Sequence, residues 1–399
     1  MIKKNINPWI ICIISASCFF YAFAQLNLIN SLSDALITEW HLSKYQLENL
    51  SSCYLYAVAI AFFPCGYLLD KFSVRKLLTI AIFFSGVLTL GFALAQNYQT
   101  AVMIRLSLGG LHALIFLGCL RIAVKSVPEN RSALAVGLSI TIGLLGGLFV
   151  QVCFPFALLF MSWRYLMLIF SSIGFFIWVL NFKYTNIALL NENKQVSERF
   201  FSWFLALLKV VSCFQNWLYA IYICLMNLPM MILGALWGDW YLKTHENVTN
   251  LQASIIISMI YLGMILGSPA VGWLADTLNR RKLLMLIGAV VSLMIIMVIN
   301  YVKVLDVSYL ILLFLTLGIL ASVQNLGYVL IAKNNAKNLS STATSFAAVI
   351  IMLGSALLQL IFTLSIKTYP NQFGFNLTNL ELLIISFAIS TSIALCVKD

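Results

Sequence analysis

The chain has 399 residues, of which 62% are hydrophobic and only 9% are charged, and its formal net charge is +11. A soluble domain usually carries roughly 25% charged residues, so this composition excludes a water-soluble fold. Lipid must therefore be the solvent for most of the surface.

Apolar segments long enough to cross a bilayer recur along the chain, since a spanning helix needs about 20 mostly apolar residues. Lipid offers no hydrogen-bond partners, and the segments lack the period-two alternation of barrel strands, so they must be helices. The sequence predicts an all-α polytopic membrane protein with twelve transmembrane helices. The predicted spans are 8–32, 46–69, 77–96, 99–124, 132–161, 164–184, 212–238, 251–274, 283–302, 307–332, 341–366 and 379–397.

The positive charge is distributed unevenly among the loops. Most of the 24 Lys and Arg residues fall on one side if both termini lie in the cytoplasm. The positive-inside rule therefore predicts a multi-pass protein of the cell (inner) membrane with both termini cytoplasmic. Basic charge here orients helices in the lipid bilayer, so no nucleic-acid partner is expected.

The longest polar run begins at Thr185, near the middle of the chain. It predicts a cytoplasmic linker over 185–205 between an N-terminal six-helix half, 1–184, and a C-terminal half, 206–399. The loops elsewhere are short and leave no room for a folded domain outside the membrane.

A charged segment occurs twice, after the second and the eighth predicted spans. Residues 66–78 and 272–284 lie 206 positions apart, and seven of their 13 aligned residues are identical. Each half has six spans, so the repeat is parallel. Two such halves around an axis normal to the membrane are a recurring transporter plan, with the substrate site near the midplane.

Asp34 and Asp239 end the first and seventh predicted spans and lie 205 positions apart. They are either equivalent acids at the outer ends of the two halves or two solvated carboxylates at helix ends.

The repeated segment resembles the signature loop of the major facilitator superfamily, in which G-x-x-x-D precedes a basic cluster. The resemblance covers the whole chain: twelve spans, a central linker and the motif in both expected loops. Both copies depart from the family pattern, because Val74 and Thr277 stand where the family usually has Arg. The resemblance implies a transporter that works by alternating access.

The two motif acids suggest a gating latch. A carboxylate at the cytoplasmic end of a helix can bind the N-terminus of a neighbouring helix and pair with a nearby Arg. Such contacts would hold the inner side closed in one state. The alternative is that the basic cluster only sets topology. The predicted latch residues are Gly66, Asp70, Arg75, Lys76, Gly272, Asp276, Arg280 and Arg281.

Arg105 lies within the fourth span, where a charge is costly and usually faces a cavity or a partner. His112 follows two turns later on the same face. The Arg-x-x-x-Gly spacing resembles a motif of the family's fourth span that is linked to proton coupling or substrate contact. The alternatives are an Arg that extends to the outer interface and a His that is a satisfied core residue.

Other polar residues within the spans predict a mostly neutral, aromatic cavity, and the resemblance implies that spans one, four, seven and ten line it. Any one of them is alternatively an interhelical hydrogen bond. The candidates for substrate contact or coupling are Tyr21, Gln25, Tyr54, Arg105, His112, Asn227, Gln324 and Asn325.

The sequence thus predicts a secondary active or facilitative transporter and not an enzyme. The N-L-P…G-A-L-W-G segment of span seven, residues 227–238, and the Tyr-rich second span resemble a bacterial nutrient and phagosomal amino-acid transporter branch and, distantly, lysosomal dipeptide transporters. This resemblance implies uptake of an amino acid or short peptide. Export of drugs or siderophores is the alternative; a channel or a membrane enzyme fits less well. The protein is expected to be a monomer that binds a small molecule and possibly protons, with no cofactor and no metal.

Overall fold

The computed structural model describes residues 7–184, 202–238, 241–242, 246, 248–302, 306–368 and 376–397. In these residues the backbone forms fourteen α-helices and no strand. The helices are α1 (Pro8–Trp40), α2 (Lys44–Lys71), α3 (Val74–Ala93), α4 (Tyr98–Ser126), α5 (Ser132–Leu158), α6 (Trp163–Tyr184), α7 (Ser202–Val211), α8 (Phe214–Pro229), α9 (Asn250–Leu278), α10 (Arg281–Tyr301), α11 (Val307–Ala321), α12 (Gln324–Asn334), α13 (Ser340–Thr368) and α14 (Asn376–Cys396).

Ten helical stretches among the described residues are long and apolar enough to cross a membrane. Two shorter apolar helices, Ser340–Ser355 and Leu380–Cys396, fall in the eleventh and twelfth predicted spans. Because α11 and α12 together form the tenth span, the twelve predicted segments all have a counterpart. The predicted fold class, an all-α polytopic membrane protein, is confirmed.

Helix starts repeat at the same spacing as the charged segment. The Ser43 hydroxyl accepts the N–H of Gln46 at 3.2 Å, and the Gln46 side chain accepts the N–H of Ser43 at 2.9 Å. Thr249 and Gln252 form the same reciprocal cap at the start of α9, 206 positions later. These caps satisfy N–H groups that a helix start otherwise leaves unpaired. The duplication therefore extends beyond the charged segment.

Two predicted spans differ from continuous α-helices. α8 ends at Pro229, and a π-helical segment, Met230–Trp237, continues it. Pro229 has no backbone N–H, and the N–H of Met230 bonds to the Asn227 carbonyl oxygen three residues back, so the regular α-helical pattern ends here. The tenth span is interrupted at Ser322 and Val323, between α11 and α12. Their N–H groups bond to carbonyls three residues back, Ile319 and Leu320.

The segment predicted as a linker contains the start of a helix, since α7 begins at Ser202. Its residues 202–211 are mostly apolar, and Phe204, Leu205 and Leu208 are exposed. An amphipathic helix of this kind suits a membrane interface. Residues 185–201 lie outside the described residues.

The chain divides into two compact units. Unit 1 comprises Met1–Glu129, Leu138–Leu208 and Ala336–Phe346, and unit 2 comprises Asn130–Gly137, Lys209–Asn335 and Ala347–Asp399. The division falls inside α5 and α13. The first residues of each of these helices thus cluster with the opposite sequence half.

The same order of helix contacts is found within each unit. In unit 1, α2 packs on α4, α3 packs on α4 and α6, and α1 packs on α4 and α6. In unit 2, α9 packs on α11, α10 packs on α11 and α14, and α8 packs on α12 and α14. Numbered by span, the pairs are equivalent, as expected for a parallel duplication.

Close helix contacts at glycine fix these pairs. A Cβ atom on Gly109 of α4 would lie 2.3 Å from the carbonyl oxygen of Tyr54 on α2. A Cβ on Gly318 of α11 would lie 2.2 Å from the carbonyl oxygen of Ile260 on α9. Both neighbours are backbone atoms, so only glycine allows this approach.

We expect Gly109→Ala to lower the free energy of unfolding by about 2 kcal/mol, since the added methyl group forces α2 and α4 apart. Gly110→Ala is the matched control, because a Cβ there meets nothing within 4 Å. It should be neutral or stabilising, since Ala favours a helix more than Gly does. Thermal unfolding of the two purified variants measures the difference. Equal melting temperatures would contradict the packing described.

Candidate functional site

Asp70 lies at the end of α2 and binds the start of α13 within unit 1. Its carboxylate accepts hydrogen bonds from the main-chain N–H groups of Ser341 (3.1 Å) and Thr342 (2.7 Å). It also accepts from the Thr342 hydroxyl at 2.7 Å. α13 begins at Ser340, so these are N–H groups of its first turn, where the helix dipole favours an anion.

Arg121 completes this contact from the last part of α4. Its Nη1 donates to the Asp70 carboxylate and to the Ser341 hydroxyl. The Arg121 and Asp70 side chains are 3% and 5% exposed, so the ion pair is buried. Sequence reasoning missed Arg121, because an Arg near a cytoplasmic loop looks like a topology signal. Its place fifty-one positions after Asp70 gives no local pattern.

Asp276 forms the equivalent contact within unit 2. It accepts from the main-chain N–H groups of Ala133 (3.3 Å) and Leu134 (2.8 Å), in the first turn of α5. Its cation is Arg281, whose Nη2 donates to the carboxylate at 3.1 Å. Both copies thus bind a helix N-terminus, but their cations differ: Arg121 comes from another helix, and Arg281 comes from the motif itself.

The other predicted latch residues take different places. Gly66 and Gly272 let the helices meet, because a Cβ would lie 2.2 Å from Ser345 Oγ and 2.5 Å from the Ala133 carbonyl oxygen, respectively. Arg75 Nη2 donates to the carbonyl oxygen of Phe182 at 3.4 Å.

Lys76 and Arg280 are exposed. An exposed charge at a cytoplasmic helix end suits the topology signal that was the alternative interpretation of the basic cluster.

Arg105 is fully buried inside unit 1. Its Nε donates to the carbonyl oxygen of Leu50 at 3.3 Å, and its Nη1 donates to that of Gln25 at 2.7 Å. Its guanidinium lies over the Tyr54 ring, 4.3 Å from the centroid, a favourable cation–π geometry. The interpretation in which Arg105 extends to the outer interface is wrong, because its side chain is fully buried and bonded to these carbonyls.

Tyr21 and Gln25 meet Thr89 of α3. Thr89 donates its hydroxyl proton to the carbonyl oxygen of Ser85 at 2.7 Å, and Tyr21 donates to Thr89 Oγ1 at 2.9 Å. Gln25 Nε2 donates to the same oxygen. A hydroxyl has one proton, so Thr89 only accepts from Gln25, which fixes the orientation of the Gln25 amide. Sequence reasoning missed Thr89, since a single Thr in a span is common.

His112 and Tyr54 share the carbonyl oxygen of Ala22. The Tyr54 hydroxyl donates to this oxygen at 3.0 Å and lies 2.8 Å from His112 Nδ1, which is itself 3.1 Å from the oxygen. All five candidates of unit 1, namely Tyr21, Gln25, Tyr54, Arg105 and His112, are therefore brought into one buried polar cluster.

Two of the three candidates of unit 2 bond to each other, and the third bonds to a Ser of α9. Gln324 Nε2 donates to Asn227 Oδ1 at 3.3 Å, and Asn325 Nδ2 donates to the Ser268 hydroxyl at 2.9 Å. Asn227 lies two residues before Pro229, and Gln324 follows the interruption of the tenth span. Amide side chains thus collect where two spans depart from regular helix, a feature of transporter binding sites. Sequence reasoning missed Ser268, an isolated Ser within an apolar span.

The predicted outer acids remain predictions. The side chain of Asp34 and the whole of Asp239 lie outside the described residues.

The fold and the paired acid contacts define a multi-pass helical membrane protein built from two similarly packed units. Residues 14–359 match the sequence model of the Major Facilitator Superfamily. The chain belongs to this family of transporters and is not an enzyme.

Solved structures show the same fold. The MFS transporter FucP in the outward conformation aligns with a TM-score of 0.78 at 15% identity, over 97% of this chain and 98% of that one. A variant of the E. coli fucose:proton symporter FucP gives 0.76 at 15% identity, over 99% and 100%. The MFS proton:xylose symporter XylE, bound to 6-bromo-6-deoxy-D-glucose, gives 0.72 at 15% identity, over 98% and 94%. No curated protein matches by sequence.

Arg121→Gln should reduce the free energy of unfolding by about 3 kcal/mol, because it leaves the buried Asp70 carboxylate without its cation. Lys76→Gln is the control on an exposed charge and should stay within about 0.5 kcal/mol of the wild type. Thermal unfolding measures both, and a double-mutant cycle with Asp70→Asn isolates the pair. Equal free energies of unfolding for Arg121→Gln and Lys76→Gln would show that Arg121 is not the partner that stabilises Asp70.

Proposed function

We propose that this protein is a secondary transporter that carries a small organic solute, an amino acid or short peptide, into the cell by alternating access. The observation that carries the mechanism is the pair of acid contacts. Each joins a helix end of one sequence half to the first turn of a helix of the other half. Such contacts can form in one state and break in another, at about 1–3 kcal/mol for each charge-assisted bond.

The two contacts act as cytoplasmic latches in this mechanism. The positive-inside rule supports their placement on the cytoplasmic side of an inner membrane. Each latch needs its acid to be ionised and bonded to N–H groups, so a neutral amide at the same position weakens it. The latch residues are Asp70 with Arg121 and Asp276 with Arg281.

The substrate class rests on the charges of the two polar clusters. Arg105 provides a buried cation, and the amides of Asn227 and Gln324 provide neutral hydrogen-bond groups. A cation together with amides suits a small solute that carries a carboxylate and further polar groups, as amino acids and short peptides do. The two symporters among the similar structures are named for sugars, which makes sugars the necessary comparison.

A transport assay tests the class of protein and the substrate together. Proteoliposomes loaded with unlabelled L-alanine, L-alanyl-L-alanine, L-fucose or uridine are given the same labelled compound outside. We expect trans-stimulated entry for the alanine compounds, because an alternating-access carrier returns faster when loaded. Entry that is independent of the internal compound would indicate a channel. Stimulation by L-fucose alone would indicate a sugar substrate and contradict the proposed amino acid or short peptide.

The latches predict a shift in population when both acids lose their charge. We expect Asp70→Asn combined with Asp276→Asn to favour a state open to the cytoplasm. A cysteine placed at Asn227, in a background without the nine native cysteines, reports this shift. It should react faster with a membrane-impermeant thiol reagent in inside-out vesicles than it does with both acids present. Lys76→Gln, which alters an exposed charge on the same face, should leave that rate unchanged. An equal rate in the double variant and its parent would refute the latches.

A further inference from the structure

The break in the tenth span lies against α9, the helix that carries Asp276. A Cβ atom on Gly267 of α9 would lie 2.6 Å from Ser322 Oγ, at the break itself. One residue further along α9, the Ser268 hydroxyl accepts a hydrogen bond from Asn325 Nδ2 at 2.9 Å. Ser268 and Asn325 are both buried, so an internal hydrogen bond joins α9 to the start of α12.

The direction of this hydrogen bond is fixed by the protons available. Ser268 donates its single hydroxyl proton to the carbonyl oxygen of Met264 at 2.7 Å, so its oxygen only accepts from Asn325. Pro269 follows directly and has no backbone N–H, so α9 lacks one helical hydrogen bond here and bends more easily than a regular helix. Asn325 thus holds α9 at a deformable point.

The same stretch of α9 packs on the first residues of α5. A Cβ on Gly137 would lie 2.1 Å from the Ser268 carbonyl oxygen, and one on Gly272 would lie 2.5 Å from that of Ala133. Asp276 continues this contact one turn further, where it binds N–H groups at the start of α5. A movement of α9 at Ser268 therefore reaches Asp276, because the close backbone contacts leave no space to absorb it.

Two adjacent side chains after the break bond in different directions. Gln324 donates to Asn227 of the candidate substrate cluster, whereas Asn325 donates to Ser268 of α9. Both donors belong to the first turn of α12, so a rearrangement of that turn moves both hydrogen bonds together. The break in the tenth span thus connects the polar cluster of unit 2 with the helix that carries its latch acid.

Unit 1 makes the equivalent connection with a different residue. Its fourth span corresponds to the tenth, and Arg121 of that span bonds directly to Asp70. The residue 206 positions after Arg121 is Gly327, which has no side chain to form such a bond. Asn325, two positions earlier, supplies the side chain that joins the tenth span to α9.

We propose that Asn325 and Ser268 are positioning residues that couple the candidate substrate cluster of unit 2 to the Asp276 latch. A solute that rearranges the start of α12 displaces Ser268, bends α9 at Pro269 and draws the Asp276 carboxylate away from the first turn of α5. This proposal rests on the proposed function, because the latch has to open during transport. It does not depend on which solute is carried.

Hydrogen–deuterium exchange of the full chain in lipid nanodiscs, without solute, tests the coupling. The N–H groups in the first turn of α5 report the Asp276 latch, and those in the first turn of α13 report the Asp70 latch. We expect Asn325→Leu to speed exchange in the first turn of α5 about fivefold, since one hydrogen bond no longer holds α9. Exchange in the first turn of α13 should stay as in the wild type.

Ser268→Ala tests the same hydrogen bond with a smaller change, and Ser258→Ala is its matched control. Ser258 is exposed on α9 and bonds to the carbonyl oxygen of Ile255 in its own helix. Ser268→Ala should speed exchange in the first turn of α5, whereas Ser258→Ala should leave it unchanged. If Asn325→Leu does not fold, Ser268→Ala decides the question.

Combining Asn325→Leu with Asp276→Asn separates coupling from a general loss of stability. Asp276→Asn alone should speed exchange in the first turn of α5. Adding Asn325→Leu should then change the rate less than about twofold, because the latch through which Asn325 acts is already open. An Asn325 with a purely structural role would instead add its full effect.

The contrary results have distinct meanings. Unchanged exchange in the first turn of α5 in both Asn325→Leu and Ser268→Ala would refute the coupling and leave the proposed transporter intact. Equal acceleration in the first turns of α5 and α13 would assign Asn325 a purely structural role. No acceleration in Asp276→Asn itself would refute the Asp276 latch of the proposed function, and the coupling with it.

Discussion

Inside a bilayer, every backbone and side-chain polar group has to find its partner within the protein, because lipid supplies none. Much of this structure follows from that constraint. The interruption at Ser322 and Val323 is tolerated because three-residue turns bond the freed N–H groups. The buried carboxylate of Asp70 is tolerated because two N–H groups, a hydroxyl and a guanidinium surround it. The constraint is not met completely, since Arg105 Nη2 and the Nε atoms of Arg121 and Arg281 have no hydrogen-bond partner.

The two halves share their backbone geometry but differ in the chemistry of their buried polar side chains. Helix caps at Ser43 and Thr249, glycines at the closest approaches and acids at two helix ends occur in both halves. The buried polar clusters do not repeat. Unit 1 has a cation with aromatic side chains, whereas unit 2 has Asn and Gln next to two irregular helices. Two units with the same helix packing thus contain two chemically different polar clusters.

The sequence was enough to predict the twelve spans, because each has an apolar run of the length that a bilayer requires. The contact of Asp70 and Asp276 with helix N-termini was also expected, since the motif leaves an acid at the end of a helix. The break at Ser322 could not be expected, because no Pro marks it and polar residues such as Gln324 also occur within continuous spanning helices. Arg121 and Thr89 were missed for another reason: they act through partners that are far apart in the chain. Which Arg pairs with the motif acid depends on tertiary packing, and the sequence repeat alone does not show this.

The contacts of the two motif acids place different constraints on how the sequence can change. Asp276 and Arg281 lie five positions apart, so one short stretch carries the complete pair and can be exchanged between related proteins intact. Asp70 and Arg121 lie 51 positions apart on separate helices. A change at one of the two residues leaves the other as a buried charge without a partner. Such a change is tolerated only if the other residue has already changed. Among related chains, residues 70 and 121 should therefore vary together, whereas residues 276 and 281 can change together within one short segment.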